Sequence, residues 1–189
     1  MAIRTKRWTR LEYERLIDLG ALGPEDRLEL LGGQLVVREP QGHLHATGIR
    51  LVARALRTAL GPSWNIDAQL PVSLDEESEP EPDVAVVAGG PRDYVASHPT
   101  RPLLVVEVAL ATLALDRGEK ARLYARSGLA DYWIVNLVDN VLEVYRLPEA
   151  DPDSPYGWRY QSTVTLRTGD RVSPLSAPSA VILVADLLP

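Results

Sequence analysis

The chain contains no cysteine, which removes disulfides, thiolate zinc sites and cysteine nucleophiles together. Long apolar runs are missing too: none approaches the ~18 residues a membrane helix requires, so no membrane partner is expected. Met1-Ala2-Ile3-Arg4-Thr5-Lys6-Arg7-Trp8 is basic but lacks the apolar segment of a signal peptide, and a cytoplasmic location fits. Positive charge is scarce: 20 Lys and Arg against 26 Asp and Glu leave a net charge of −6, which argues mildly against a general nucleic-acid binder. The acids cluster, however, with five of them in Asp75-Glu76-Glu77-Ser78-Glu79-Pro80-Glu81. Local patches can therefore oppose the total. No Gly-x-Ser-x-Gly elbow, Walker loop or dinucleotide fingerprint is present, and His43, His45 and His98 do not have zinc spacing. Serine hydrolases, P-loop NTPases and Rossmann enzymes drop out.

What is present reads as one domain over residues 1–189, long enough to bury a core, with the core at about 25–147 and peripheral strands at 156–189. Thr9-Arg10-Leu11-Glu12 has the capping-box pattern and opens a helix that Gly20 and Gly23-Pro24 stop. Leu28–Leu31, Gly32-Gly33 and Gln34–Val37 spell a hairpin whose glycine pair permits the tight turn. From His45 to Leu60, Ile49, Val52, Ala53, Leu56 and Leu60 form an amphipathic stripe. Trp64–Val72, Val84–Val87 and Leu103–Val108 read as strands, and the acidic stretch before Asp83 as a solvated loop or hairpin tip. Asp116–Ser127 reads as a helix closed by Gly128. Strands at 131–136 and 141–145 flank the hairpin signal Asp139-Asn140. A Pro/Asp-rich loop at 148–155 precedes peripheral strands at 158–166 and 180–184. No internal repeat is visible. The order gives an α+β or mixed α/β sandwich, not a repeated βα array.

Chemistry concentrates in two acids. Glu107 stands in the apolar run Leu103-Leu104-Val105-Val106-Glu107-Val108, where an unpartnered charge is costly, so it needs a cation. Asp83 opens the preceding strand, and an antiparallel hairpin sets the start of one strand beside the end of the next. Two such acids form a candidate site for Mg²⁺, with Mn²⁺ able to substitute. Such an ion can lower the pKa of bound water and stabilise phosphate charge. A structural reading stays open: Asp after Pro is a common turn residue, and Glu107 could pair with an arginine. Asp116 and Lys120 have the spacing of a helix-surface ion pair, the preferred reading for Asp116, while Lys120 could instead reach the two acids. His45 could assist, or simply begin its helix. Glu29 could add a carboxylate, although a solvent-facing hairpin position is simpler. Gln69 is a possible polar neighbour. Arg50, Arg54 and Arg57, on one helix, are candidate phosphate contacts, with a solvated face as the simpler reading of each.

Taken together, Pro82-Asp83, Glu107-Val108 and Asp116-x-x-x-Lys120 resemble the PD-(D/E)xK nuclease superfamily, and more closely its Uma family of restriction-endonuclease-like proteins. Leu28–Val36 looks like that family's opening hairpin, and His45 falls where the family has a helix-starting histidine. Glu81–Val87 is similar to its Pro-Asp strand, and Leu104–Asn136 to its longest motif. The resemblance spans about residues 8–147. It implies a restriction-endonuclease-like mixed central sheet flanked by helices, with Asp83 and Glu107 as metal ligands. It also implies Mg²⁺-dependent phosphodiester hydrolysis, DNA as substrate, and a homo-oligomer. The superfamily lysine, two residues after the acid, is replaced here by Ala109, and Lys120 inherits the role. Where relatives carry polar residues after Glu-Val-Ala, this chain has Leu110-Ala111-Thr112-Leu113. That departure keeps a second expectation in play, an inactive nuclease fold that binds nucleic acid or protein.

Overall fold

The computed structural model of the chain describes residues 5–38 and 40–189; the basic opening at residues 1–4 lies outside them. Helix α1 (Arg10–Asp18) starts on the expected capping box, in which the Thr9 side chain accepts from Glu12 N and Glu12 reaches back to Thr9 N. A short 3₁₀ turn, Pro24–Asp26, leads into the hairpin of β1 (Leu28–Leu31) and β2 (Gln34–Val37). Gly32 and Gly33 both have positive φ, the conformation a two-residue turn of this hand demands. Helix α2 (His43–Leu60) begins two residues before the expected start.

The main sheet has six strands in the order β3-β4-β5-β6-β7-β8. They are β3 (Asn65–Asp67), β4 (Val84–Val87), β5 (Leu104–Ala109), β6 (Asp131–Asn136), β7 (Val141–Ala150) and β8 (Trp158–Leu166). Only β5 and β6 run parallel. Parallel neighbours need a crossover, and the helix between them supplies it. This helix, α3, is α-helical over Leu113–Leu115, a π turn over Asp116–Lys120, and α-helical again over Ala121–Arg126.

Strands β4, β5 and β6 are buried along their whole length, as expected of central strands covered on both faces. On one face Val84, Val86, Val106, Val108 and Trp133 pack with Ile49, Val52 and Leu56 of α2. On the other, Val105, Ala109, Tyr132 and Ile134 pack with Ala121 and Tyr124 of α3. The observed architecture is thus a mixed α+β sandwich around a mixed sheet.

Four expectations need correction. The strand expected at 64–72 ends at Asp67, because Gln69 takes a left-handed φ of 57° and the chain turns out of the ladder. The acidic stretch is not a solvated tip: Ser78 and Glu79 are buried, since Glu79 pairs with Leu30 and brings the segment back over β1. The strand expected at 141–145 continues through Pro148 to Ala150, paired with β8 on either side of Leu147, which takes a left-handed φ of 60° and stands outside the ladder. Finally, part of the C-terminal segment belongs to the core. β9 (Arg171–Val172) and β10 (Ile182–Leu183) form a separate two-stranded sheet, and Val172, Ile182, Val184 and Leu187 join the α2 face of the core.

Candidate active site

Register decides where the two acids meet. Antiparallel pairing of Val84 with Val106 sets Asp83 opposite Glu107, one step beyond the last paired residue. The backbone N–H of Asp83 donates to Glu107 Oε2 at 3.3 Å, and that of Val108 donates to Asp83 Oδ2 at 2.8 Å. Helix α2 brings His45 from the sheet's other side, with Nε2 2.9 Å from the same Asp83 Oδ2. That approach needs α2 close to β5. Gly48 permits it, since a Cβ there would lie 2.7 Å from Val108 Cγ1.

Helix α3 supplies the cation. Lys120 Nζ donates to Glu107 Oε1 at 3.1 Å and lies 3.3 Å from Glu29 Oε1. One turn on, the Tyr124 hydroxyl donates to Glu107 Oε1 at 2.8 Å. Glu29 is buried, contrary to its solvent-facing expectation, because the returning acidic segment covers β1; its Oε2 accepts from Glu81 N at 3.1 Å. Asp116 is buried as well, not a surface partner of Lys120. Its Oδ2 accepts from Thr112 Oγ1 at 2.7 Å, and its carbonyl accepts from Tyr132 OH at 3.1 Å. A π turn, a deviation often found at functional sites, carries both Asp116 and Lys120 inward.

Glu29, His45, Asp83, Glu107, Asp116 and Lys120 line a cleft of about 320 Å³, together with Val37, Leu110 and Ala111. Beside a paired Arg38 and Glu81, four carboxylates (Glu29, Asp83, Glu107 and Asp116) share it with one ammonium and one imidazole. Burial pushes the Glu107 carboxyl up to about 8; Lys120 opposes this and the neighbouring acids reinforce it. Burial likewise raises Asp116 to about 6. Burial alone would lower Lys120, but Glu107, Glu29, Asp116 and Asp83 outweigh it and hold the ammonium above its ordinary value. His45 is raised chiefly by its bond to Asp83. The cluster therefore keeps Lys120 charged at neutral pH and favours a proton on Glu107.

Excess carboxylate around one lysine is the donor chemistry of a hard divalent cation. Among the described residues, though, no three carboxylate or imidazole groups stand converged as ligands.

Of the expected site residues, Asp83, Glu107, Lys120, Glu29 and His45 come together here. Gln69 does not line the cleft: its backbone N–H bonds to the carbonyls of Pro82 and Asp83, and its side-chain Nε2 is buried without a partner. Arg50, Arg54 and Arg57 do not line it either, and Arg57 is tied to the Ile66 carbonyl. Tyr124 and Thr112 escaped the sequence reading. The signal for Tyr124 was its place four residues after Lys120, on the same helical face.

The chain matches, over residues 11–185, the model of the Uma2 family, described as "Putative restriction endonuclease". No curated protein matches it. Among solved structures it is similar to "a putative nuclease belonging to DUF820" from Anabaena variabilis ATCC 29413. The TM-score is 0.67 at 17% identity, over 91% of this chain and 96% of the other, a likeness of fold.

Proposed function

Because the chain belongs to the Uma2 family of restriction-endonuclease-like proteins, we propose that it is a divalent-metal-dependent endonuclease that hydrolyses phosphodiester bonds in DNA at the Asp83–Glu107–Lys120 cleft. One observation carries this reading. Two carboxylates face each other across β4 and β5, and a buried lysine from α3 is fixed on one of them.

Asp83 and Glu107 would hold a Mg²⁺ or Mn²⁺ ion, with Asp116 and Glu29 adding negative charge. A cation held there supplies Lewis-acid stabilisation of phosphate charge and a bound water of lowered pKa. Lys120 is kept positive and immobile by Glu107 and Glu29, so it orients the attacking water or stabilises charge developing on the phosphate. Tyr124 fixes the Glu107 carboxylate, leaving Oε2 turned towards Asp83. His45 holds Asp83 from the other side. Glu107, Lys120 and Glu29 are buried, and the lower local dielectric strengthens the interactions among them.

Self-association, a cytoplasmic location and a single-domain organisation over 1–189 belong to the same proposal. The first rests on the family resemblance, and the second on the missing signal-peptide segment at residues 1–8. The third is supported by C-terminal side chains sharing the α2 core.

A specific observation favours a second reading. Leu110 and Ala111 line the cleft, an apolar stretch beside the acids that suits a fold retained for binding alone. Plasmid DNA and DNA and RNA oligonucleotides incubated in Mg²⁺, Mn²⁺ or EDTA separate the two. We expect metal-dependent cleavage of DNA, lost in Asp83→Asn and Lys120→Ala. No cleavage of any substrate, with no Mg²⁺ or Mn²⁺ binding by calorimetry, rules out the enzyme.

A further inference from the structure

A second cleft, of about 670 Å³, lies between α1, the 20–28 loop and the end of β2, lined in part by Arg27 and His98. It shares two lining residues with the acid cleft: Arg38 and Glu81. These two are ion-paired with each other and about a quarter exposed. They therefore form a common wall, with the buried acids on one side and, on the other, a cavity lined by Arg27 and His98 together with the buried Glu79.

A nuclease needs cations along the strand it holds, because phosphate contacts set register and supply much of the affinity. The α2 arginines do not supply them at the cleft, since none lines either cavity. Arg38 does, and its present partner is displaceable. Both side chains of the pair are about a quarter exposed, so an incoming phosphate can reach Arg38 from solvent. Glu81 engages Arg38 through Nη1 and Oε2, whereas a phosphate can accept from the guanidinium in bidentate geometry. The size of the clefts narrows the substrate further. Both volumes lie in the range of small-ligand pockets, with room to take in unstacked nucleotides and too little to enclose a base-paired duplex. The apolar rim at Val37, Leu110 and Ala111, and Ile17 and Leu22 in the second cleft, offer surfaces to unstacked bases and sugars, as single-strand binders do.

Resting on the nuclease reading above, we propose that single-stranded DNA lies across both clefts, with Arg38 exchanging Glu81 for a backbone phosphate next to the scissile one. Leu110 and Ala111 then serve as a base-facing rim, and the polar residues missing at these positions are not needed there.

The test is direct binding of a fluorescent DNA oligonucleotide, single-stranded or as a duplex, in Ca²⁺, an oxygen-seeking ion with flexible geometry, at several salt concentrations. We expect the single strand to bind more tightly than the duplex. Arg38→Gln should weaken single-strand binding at least about fivefold. It should also flatten the slope of log K against log salt by about 0.7, the signature of one phosphate contact on a single strand. Glu81→Gln should bind as tightly as the unaltered protein or more so, because it frees Arg38. A merely structural Arg38–Glu81 pair predicts instead that both variants weaken together with the slope unchanged. That result overturns the proposal, as does equal or tighter duplex binding, an Arg38→Gln variant that binds normally, or no single-strand binding at all. Cleavage is read separately. Binding as expected without cleavage in Mg²⁺ leaves this groove standing and removes only the catalytic reading. Cleavage with an indifferent Arg38→Gln does the reverse.

Discussion

Lys120 is the only ammonium lining the acid cleft among the described residues, and Glu107 and Glu29 both depend on it. Lys120→Ala leaves buried carboxylates without their cation, a change that typically costs about 3–5 kcal/mol. We expect a loss of that size in urea unfolding of the metal-free protein, partly recovered in Mg²⁺. An unchanged midpoint in EDTA would show that the ion pairs contribute nothing. Tyr124→Phe removes a single hydrogen bond to a carboxylate, worth about 1.5–3 kcal/mol. Because it frees Glu107 to rotate, we also expect calorimetry to show weaker Mn²⁺ binding, whereas a purely structural tyrosine would alter stability alone. At this scale the sequence was most legible where chemistry conflicts with environment. Glu107 in an apolar strand announces a partner, and the Pro-Asp start of the neighbouring strand supplies its companion. Glu29 and Asp116 were misread because their local patterns, a short hairpin strand and an i,i+4 charge pair, are those of exposed residues. What buries them comes from elsewhere in the chain: the returning 75–81 segment over β1, and the β6 tyrosine Tyr132 against the π turn.

Among the elements, α2 and α3 approach the ends of β4 and β5 from opposite faces, and the site exists only where both arrive. The approach of α2 depends on Gly48. Gly48→Ala would place a methyl 2.7 Å from Val108 Cγ1, an overpacking that costs about 1–3 kcal/mol and lifts His45 from Asp83. Cleavage should fall with stability, and Gly48→Ala combined with Val108→Ala should recover part of both. Failure of the double variant to recover either would place the defect somewhere other than this contact. Element boundaries were legible wherever local chemistry sets them, as at the Thr9 capping box and the Gly32-Gly33 turn. They were not legible where tertiary structure sets them. β3 stops early because Gln69 adopts a left-handed backbone, and β7 runs through Pro148 because β8 is there to receive it.

Across the whole molecule, the titration of the cleft should be visible in stability. Asp116 at about 6 and Glu107 at about 8 both lie above their ordinary values of 3.8 and 4.5, and His45 lies above 6.5. For each group the folded protein binds the proton more tightly than the unfolded chain does. The associated stability is therefore complete at low pH and lost as pH rises through the folded values. Surface acids held low by arginine, such as Glu77 beside Arg7, lose their contribution only at more acidic pH. The metal-free protein should thus melt at a lower temperature at pH 8 than at pH 6, and saturating Mg²⁺ should shrink the difference. A melting temperature that rises with pH in EDTA would contradict the assigned protonation of the cleft. The general plan of a mixed sheet between helices was legible in the order of elements. The contribution of the C-terminal segment was not, because a few scattered apolar residues among prolines give no periodicity.

That segment also sets a sequence of events in time. Asp131 is wholly buried and accepts from Trp133 Nε1, Arg146 Nε and the Leu175 backbone, which pins the path leading to Val184 and Leu187. Both of those side chains are fully buried in the core that seats α2. Every residue of the acid cleft lies at or before Lys120 and so leaves the ribosome long before they do. Until Leu187 has emerged, α2 lacks part of its cover and His45 lacks its fixed approach to Asp83. Should the cleft act as proposed, its activity would wait on a later-made part of the same core.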